Sequence, residues 1–238
     1  AASFAMFSAG RAFEQVRNSV GYPKLNVKVV GSHAGISVGE DGATHQCCED
    51  IALMRTIPGM VILNPSDHYE MKAAVRAAIE HKGPCYIRLG RLAVESINNN
   101  DDYHFELGKG IQLREGTDIT IVATGLMVAE AVKAAKALEA EGISAEVINI
   151  HTIKPLDEEI ILNSAKKTGR VVTVEEHNII GGLGEAVAAV LSEKCPTPVT
   201  RIGVNDVFGH SGPAVDLLKE FGLSAEHIAE VVREKLGK

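Results

Sequence analysis

The apolar positions of this chain change period several times, and each change marks an element. Residues 4–17 set Phe4, Phe7, Arg11 and Phe13 among small side chains, a pattern that predicts an amphipathic helix. "LNVKVVGSH" (25–33) alternates and is β-branched, so it predicts a strand ending near Gly31. From Gln46 to Ile57 the apolar residues Cys47, Ile51, Met54 and Ile57 fall at helical spacing, with Glu49, Asp50 and Arg55 elsewhere around the turn. "VILNPS" predicts a buried strand. Asp67 with Glu70 resembles a capping box opening a helix through His81, and "CYIRLGR" predicts the next strand. This alternation is the rhythm of a parallel sheet with right-handed crossovers.

From Asn98 to His104 the text turns polar ("NNNDDYH"), the expected domain boundary. The rhythm then restarts. "DITIVATG", "SAEVINIHTI", "VVTVEEH" and "VTRIGV" predict strands, alternating with helices over Val128–Glu141, Asp157–Lys167, from Gly184, and Ser224–Leu236. The expected architecture is α/β: two consecutive doubly wound parallel-sheet domains, 1–97 and 111–238, joined by a linker over 98–110.

Composition narrows this reading. The chain is 45% hydrophobic, 23% charged and 4% aromatic with 23 glycines, the profile of a soluble α/β protein. A net charge of −7, with acids and bases interspersed, speaks against a nucleic-acid surface. No apolar run reaches the ~18 residues of a membrane span and no secretory leader is evident, so a cytoplasmic location is expected. Cys47 and Cys48 are adjacent while Cys85 and Cys195 stand apart, which gives neither a zinc pair nor a disulfide framework. The opening "AASFAMFSAGRAF" lacks Met and begins inside an apolar pattern, so the first domain reads as incomplete at its amino terminus.

"SHAGISVGEDGATHQCCED" (32–50) links the end of a strand to the start of a helix, and in parallel α/β sheets ligands bind beyond the carboxyl ends of strands. Its glycines free the backbone for close approach, and Glu40, Asp41 and His45 can bind hydroxyls or move protons around a polar small molecule. Two other readings stay open: a plain turn in which Asp41 caps a helix, and a metal site, although His33 and His45 lack helical or finger spacing. Arg91 ends the strand closing the first unit and can reach the same crevice, where guanidinium suits a phosphate. Arg88, on the opposite face, reads as a surface salt bridge. "TATGLMVAEA" and "IIGGLGEAV" sit between strand and helix without completing G-x-G-x-x-G, so tight packing explains them better than a nucleotide. Glu175, Glu176 and His177 read as solvated.

"HAGISVGEDGATHQ", "LMRTIPGMVILNPSD" and "GPCYIRLGR" resemble the pyrimidine-binding domain of thiamine diphosphate-dependent transketolases. "TDITIVATGLMVAEA", "IHTIKPLD" and "GGLGEAV" resemble their C-terminal domain, and the chain length resembles the split form with separate half-enzymes. The resemblance implies that His45 hydrogen-bonds sugar oxygens beside the reacting carbon and that Asp41 reads a donor hydroxyl. It implies that His33 and Arg91 bind sugar hydroxyls and phosphate, and that Phe7, with Phe4 nearby, packs on the cofactor's aminopyrimidine ring. The thiazolium supplies the nucleophile, and a two-carbon ketol unit passes from a ketose phosphate to an aldose phosphate. In the family an activating glutamate lies upstream of Phe4, and the diphosphate and Mg²⁺ are held by an N-terminal subunit. The chain given is therefore expected to be inactive alone and to work as a homodimer within a heterotetramer. Alternatives are half of a 1-deoxyxylulose-5-phosphate synthase-like enzyme, or a non-catalytic dimerisation module of a 2-oxoacid dehydrogenase-type assembly.

Overall fold

The computed structural model describes residues 1–98 and 103–238, so part of the polar boundary stretch lies outside the described residues. Before that stretch come strands β1 (Ala2–Phe4), β2 (Lys28–Ser32), β3 (Val61–Leu63) and β4 (Cys85–Arg88). After it come β5 (Ile111–Arg114), β6 (Ile119–Ala123), β7 (Ala145–Asn149), β8 (Thr152–Lys154), β9 (Val171–Asn178) and β10 (Val199–Val204). The helices are α1 (Phe13–Gln15), α2 (Asp50–Arg55), α3 (His68–Glu80), α4 (Met127–Glu139), α5 (Glu158–Thr168), α6 (Leu183–Lys194), α7 (Ala214–Glu220) and α8 (Ala225–Leu236).

Two five-stranded sheets result, ordered β1-β2-β4-β3-β8 and β10-β9-β6-β7-β5. Among the described residues all strand pairings are parallel except β8 on β3 and β5 on β7. Strands β6 and β7 are buried at every residue, as unbroken Ile/Val/Ala-rich runs require when helices cover both faces. Asp67 caps α3 as expected, accepting from the Glu70 amide at 3.0 Å, while the Glu70 side chain reaches one residue beyond the cap and accepts from the Ser66 amide at 2.6 Å.

The sequence reading did not include β5 and α7, its helix over 46–57 shortens to α2, and two further departures bear on the site. The segment over 4–17 is not one regular helix. After β1, π-helical turns at Met6–Arg11 and Val16–Gly21 flank α1, with i to i+5 bonds such as Ala12 N–H to Phe7 O (2.9 Å). The strand expected over 144–153 divides in two. Once Ile150 N–H has bonded Ala123 O (2.9 Å), the chain leaves the second sheet, and β8 pairs antiparallel with β3 of the first. Lys154 Nζ fixes the crossing by donating to the Arg55 and Ile57 carbonyls, both at 2.7 Å.

A strand of the second half thus completes the first sheet, and an apolar cluster spans the two halves. Ile51, Met54, Ile62 and Tyr86 share a cluster with Val122, Ile148, Ile153 and Leu183. The described flanks of the boundary stretch are tied down as well: the Ile97 and Asn98 amides donate to Asp67, and the Tyr103 hydroxyl donates to Glu70.

Candidate functional site

Parallel pairing of β2 with β4 sets Gly31 opposite Arg88, so the segments following these strands leave the sheet at the same edge. The β2 exit becomes the glycine loop. Gly35, Gly39 and Gly42 all take positive φ (85°, 81° and 72°), and the chain makes a 3-10 segment at Ile36–Asp41 before returning to α2. A bond from the Gly35 amide to Cys47 O (2.9 Å) closes the root of the loop and throws Glu40 and Asp41 outward, where both are exposed.

Four of the sequence-derived residues form one aromatic and imidazole cluster. Phe4, ending β1, stacks on His33 with ring centroids 4.0 Å apart. Phe7 meets His45 edge-on at 5.5 Å, and the Phe4 and Phe7 rings lie within 6° of parallel at 6.1 Å. Both imidazoles are held in the same way: His33 Nδ1 pairs with the Ser32 hydroxyl (3.1 Å) and His45 Nδ1 with the Thr44 hydroxyl (2.9 Å). That leaves Nε2 of each ring for a ligand. His33 is also one of few non-glycine residues at positive φ, 55°, a strained placement of the kind that collects at functional sites.

Arg91 and Asp41 stand on the rim of the same loop, outside that cluster. The Arg91 guanidinium donates to Val38 O (2.5 Å) and Glu40 Oε2 (2.6 Å). The bond to Glu40 raises the Arg91 pKa, with Asp41 adding to the field, and the same bond lowers the Glu40 carboxyl. The guanidinium expected to receive a phosphate is thus already paired with a carboxylate.

Beneath the loop lies a buried polar cluster that the sequence reading placed at the surface. Arg88 is 3% exposed and bonds Asp50 through Nε at 3.0 and 3.1 Å, while the Tyr86 hydroxyl donates to Asp50 at 2.8 Å. Nor are Glu175, Glu176 and His177 solvated. All are buried, and each finds a partner, because a charged group in an apolar interior is tolerated only when bonded. Arg88 donates to Glu176 O (2.6 Å), Glu176 Oε1 accepts from the Ser37 amide (2.6 Å), and His177 Nε2 accepts from the Ala52 amide (3.3 Å). Burial pushes Glu175 up to about 7 and His177 down to about 4. Gln46 was also missed as a brace: its amide donates to Ile36 O (3.2 Å) and His210 O (3.0 Å), fastening the loop to the second half. The available signal was the placement of three ionisable residues at the end of an otherwise apolar strand.

A cavity of about 880 Å³ opens beside the cluster, lined by Phe7, Arg11, Thr44, Gln46 and Phe208 among others. Phe7 lines this cavity and its flat ring suits contact with a heteroaromatic ring, the Arg11 guanidinium lying 4.8 Å from its centroid, while Phe4 is stacked behind on His33. Among the described residues no group of three or more His, Cys, Asp or Glu has a metal-binding arrangement.

The family model "Transketolase, pyrimidine binding domain" matches residues 1–96, and "Transketolase, C-terminal domain" matches 108–228. A protein of Methanocaldococcus jannaschii named for the C-terminal section of a transketolase is 54% identical over all of this chain and 75% of its own length. The 6-deoxy-6-sulfo-D-fructose transketolase subunit of Clostridium sp. (strain MSTE9) is 49% identical over 98% of this chain and 72% of its own. A solved split-gene transketolase, described as an inactive β4 tetramer, superposes with a TM-score of 0.93 at 52% identity, covering 99% of this chain and 75% of that one.

Proposed function

Because this chain belongs to the thiamine diphosphate-dependent transketolase family, homologous to its C-terminal subunits, we propose that it transfers a two-carbon ketol unit from a ketose phosphate to an aldose phosphate together with an N-terminal subunit. The observation that carries this reading is the cluster of Phe4, Phe7, His33 and His45 at the rim of the first sheet, with both imidazoles tethered at Nδ1.

Phe4 and Phe7 pack against the aminopyrimidine of thiamine diphosphate, which when bound supplies the thiazolium nucleophile. His45 Nε2 hydrogen-bonds the sugar oxygens beside the reacting carbon and stabilises charge as it develops there. Asp41 accepts from a donor hydroxyl, His33 binds sugar hydroxyls, and Arg91 binds the phosphate once it exchanges Glu40 for that ligand. The N-terminal subunit holds the diphosphate and Mg²⁺, so the chain is inactive alone. Two copies pair within a heterotetramer, and the assembly serves cytoplasmic sugar-phosphate metabolism.

Mixing the chain with its N-terminal companion, thiamine diphosphate and Mg²⁺ is expected to give ketol transfer from fructose 6-phosphate to ribose 5-phosphate, with either half inactive separately. No transfer by the reconstituted mixture, with both halves folded, sinks the proposal. A dimerisation module has no use for convergent imidazoles, and the cluster favours the enzyme over that reading.

A further inference from the structure

Glu176 belongs to the second sheet, yet it touches both ends of the loop that rises from the first. At the leading end, its Oε1 accepts from the Ser37 amide at 2.6 Å. A Cβ on Gly35, at φ +85°, would fall 2.3 Å from the Glu176 carboxyl carbon, so the missing side chain of Gly35 is the space the acid occupies. At the trailing end, Glu176 O accepts from Arg88, whose Nε is paired with Asp50, the first residue of α2. One residue therefore fixes where the loop leaves β2 and where it enters the next helix. Near the same root, Asn178 N–H donates to Cys48 O at 2.7 Å. The rim residues Glu40 and Asp41 are exposed and take their position from this root.

We propose that Glu176 is a positioning residue for sugar binding: the C-terminal domain reaches across and sets the loop that carries His33, Asp41 and His45. This rests on the transketolase reading above. Phe4 and Phe7, the expected cofactor contacts, lie on a segment that Glu176 does not touch. The direct contacts of the acid are therefore all to the loop, and the cofactor side feels it only at second hand, through the packing of Phe4 on His33 and of Phe7 on His45. Loosening a root by a fraction of an ångström is costly because productive geometry is narrow, a ~1 Å misplacement being able to cost about a hundredfold.

The test uses the reconstituted enzyme with Glu176→Leu, which keeps bulk without an acceptor, and Glu176→Gln, which keeps the carbonyl oxygen facing Ser37. Glu176→Leu is expected to raise the KM for fructose 6-phosphate and lower kcat/KM by about tenfold or more. The thiamine diphosphate concentration for half-activation stays within about threefold, and Glu176→Gln restores most of the loss. Hydrogen exchange of the Ser37 amide in the chain alone should accelerate with Leu and not with Gln. A variant that merely unfolds a fraction of the molecules lowers kcat and moves neither constant, and that pattern overturns the proposal. Unchanged Ser37 exchange in Glu176→Leu overturns it too. Should Glu176→Leu fail to fold, Gly35→Ala presses on the same contact from the loop side and carries the same expectation for sugar KM. If the parent mixture shows no ketol transfer while Ser37 protection still depends on Glu176, the functional reading fails and the anchor stands.

Discussion

The junction from β2 to α2 and the junction from β9 to α6 have the same construction and opposite uses. Each leaves the carboxyl end of a parallel strand, turns on glycines and enters a helix. At the second, Glu175 fills the place of an anionic ligand: its two oxygens accept from the Leu183 and Gly184 amides at 2.6 and 2.8 Å. A Cβ on Gly182 would lie 2.0 Å from that carboxylate, so the glycine admits the protein's own acid and no nucleotide. At the first junction the acids Glu40 and Asp41 point outward and the imidazoles keep a nitrogen free. A closed junction serves as scaffold for an open one, which is why the second half presses Glu176 and His177 against the first loop.

The contrast breaks most severely where the scaffold is cut. Arg88→Met leaves Asp50 buried with the Tyr86 hydroxyl as its remaining side-chain partner, and such a stranded charge costs about 3–5 kcal/mol. Urea unfolding reads this directly, and a loss under about 1 kcal/mol would contradict the buried pairing. On the open side, His45→Ala in the reconstituted enzyme is expected to lower kcat by about 10²–10³-fold while donor KM moves much less, since the contact strengthens as charge develops on oxygen. Equal losses in both would make His45 a binding residue only.

Legibility in the sequence follows the same division. The open junction was readable because glycines beside His and Asp in a polar stretch have few other uses, and because the rhythm of apolar runs fixed the loop's place on the sheet. The closed cluster was not readable. Arg88 and Asp50 lie far apart in sequence, as do Glu176 and Ser37, and nothing local says that a charged strand end will be covered by another sheet. The crossing of β8 was hidden for a similar reason: in "SAEVINIHTI" Val147, Ile148, Ile150 and Ile153 carry apolar residues across the break, and a strand that changes sheets keeps the pattern of one that does not.

Acidity sharpens the comparison next. Glu175 has its pKa raised from an unfolded value of ~4.3 to about 7, so its contribution to stability is complete below ~4.3 and is lost as pH rises through 7. His177 is lowered from ~6.5 to about 4, so its contribution is complete above ~6.5 and is lost as pH falls through 4. Between about pH 4.5 and 6.5 the two slopes oppose one another, both groups being uncharged in the folded chain. His177→Gln should make stability fall more with rising pH across that window than in the parent, by on the order of 2 kcal/mol, and Glu175→Gln should tilt it the other way. Parallel pH profiles for parent and variants would show that neither group titrates as buried.

The smallest effect is expected at the exposed rim. Arg91 and Glu40 are 42% and 66% exposed, so solvent and salt screen their pairing, and breaking it leaves stability almost unchanged. Its consequence lies in recognition. Glu40 occupies the guanidinium edge that a phosphate needs, so a phosphorylated sugar has to displace a carboxylate before Arg91 can bind it. Glu40→Gln removes that competitor and should lower the KM for a phosphorylated acceptor by about two- to fivefold, with no change for the unphosphorylated sugar. The gain should fade at high ionic strength, where both interactions are screened. Arg91→Ala should abolish discrimination between the two acceptors, and in that background Glu40→Gln should do nothing further. A gain that persists without Arg91 would mean that Glu40 repels the sugar phosphate through its own charge and does not act by occupying the arginine.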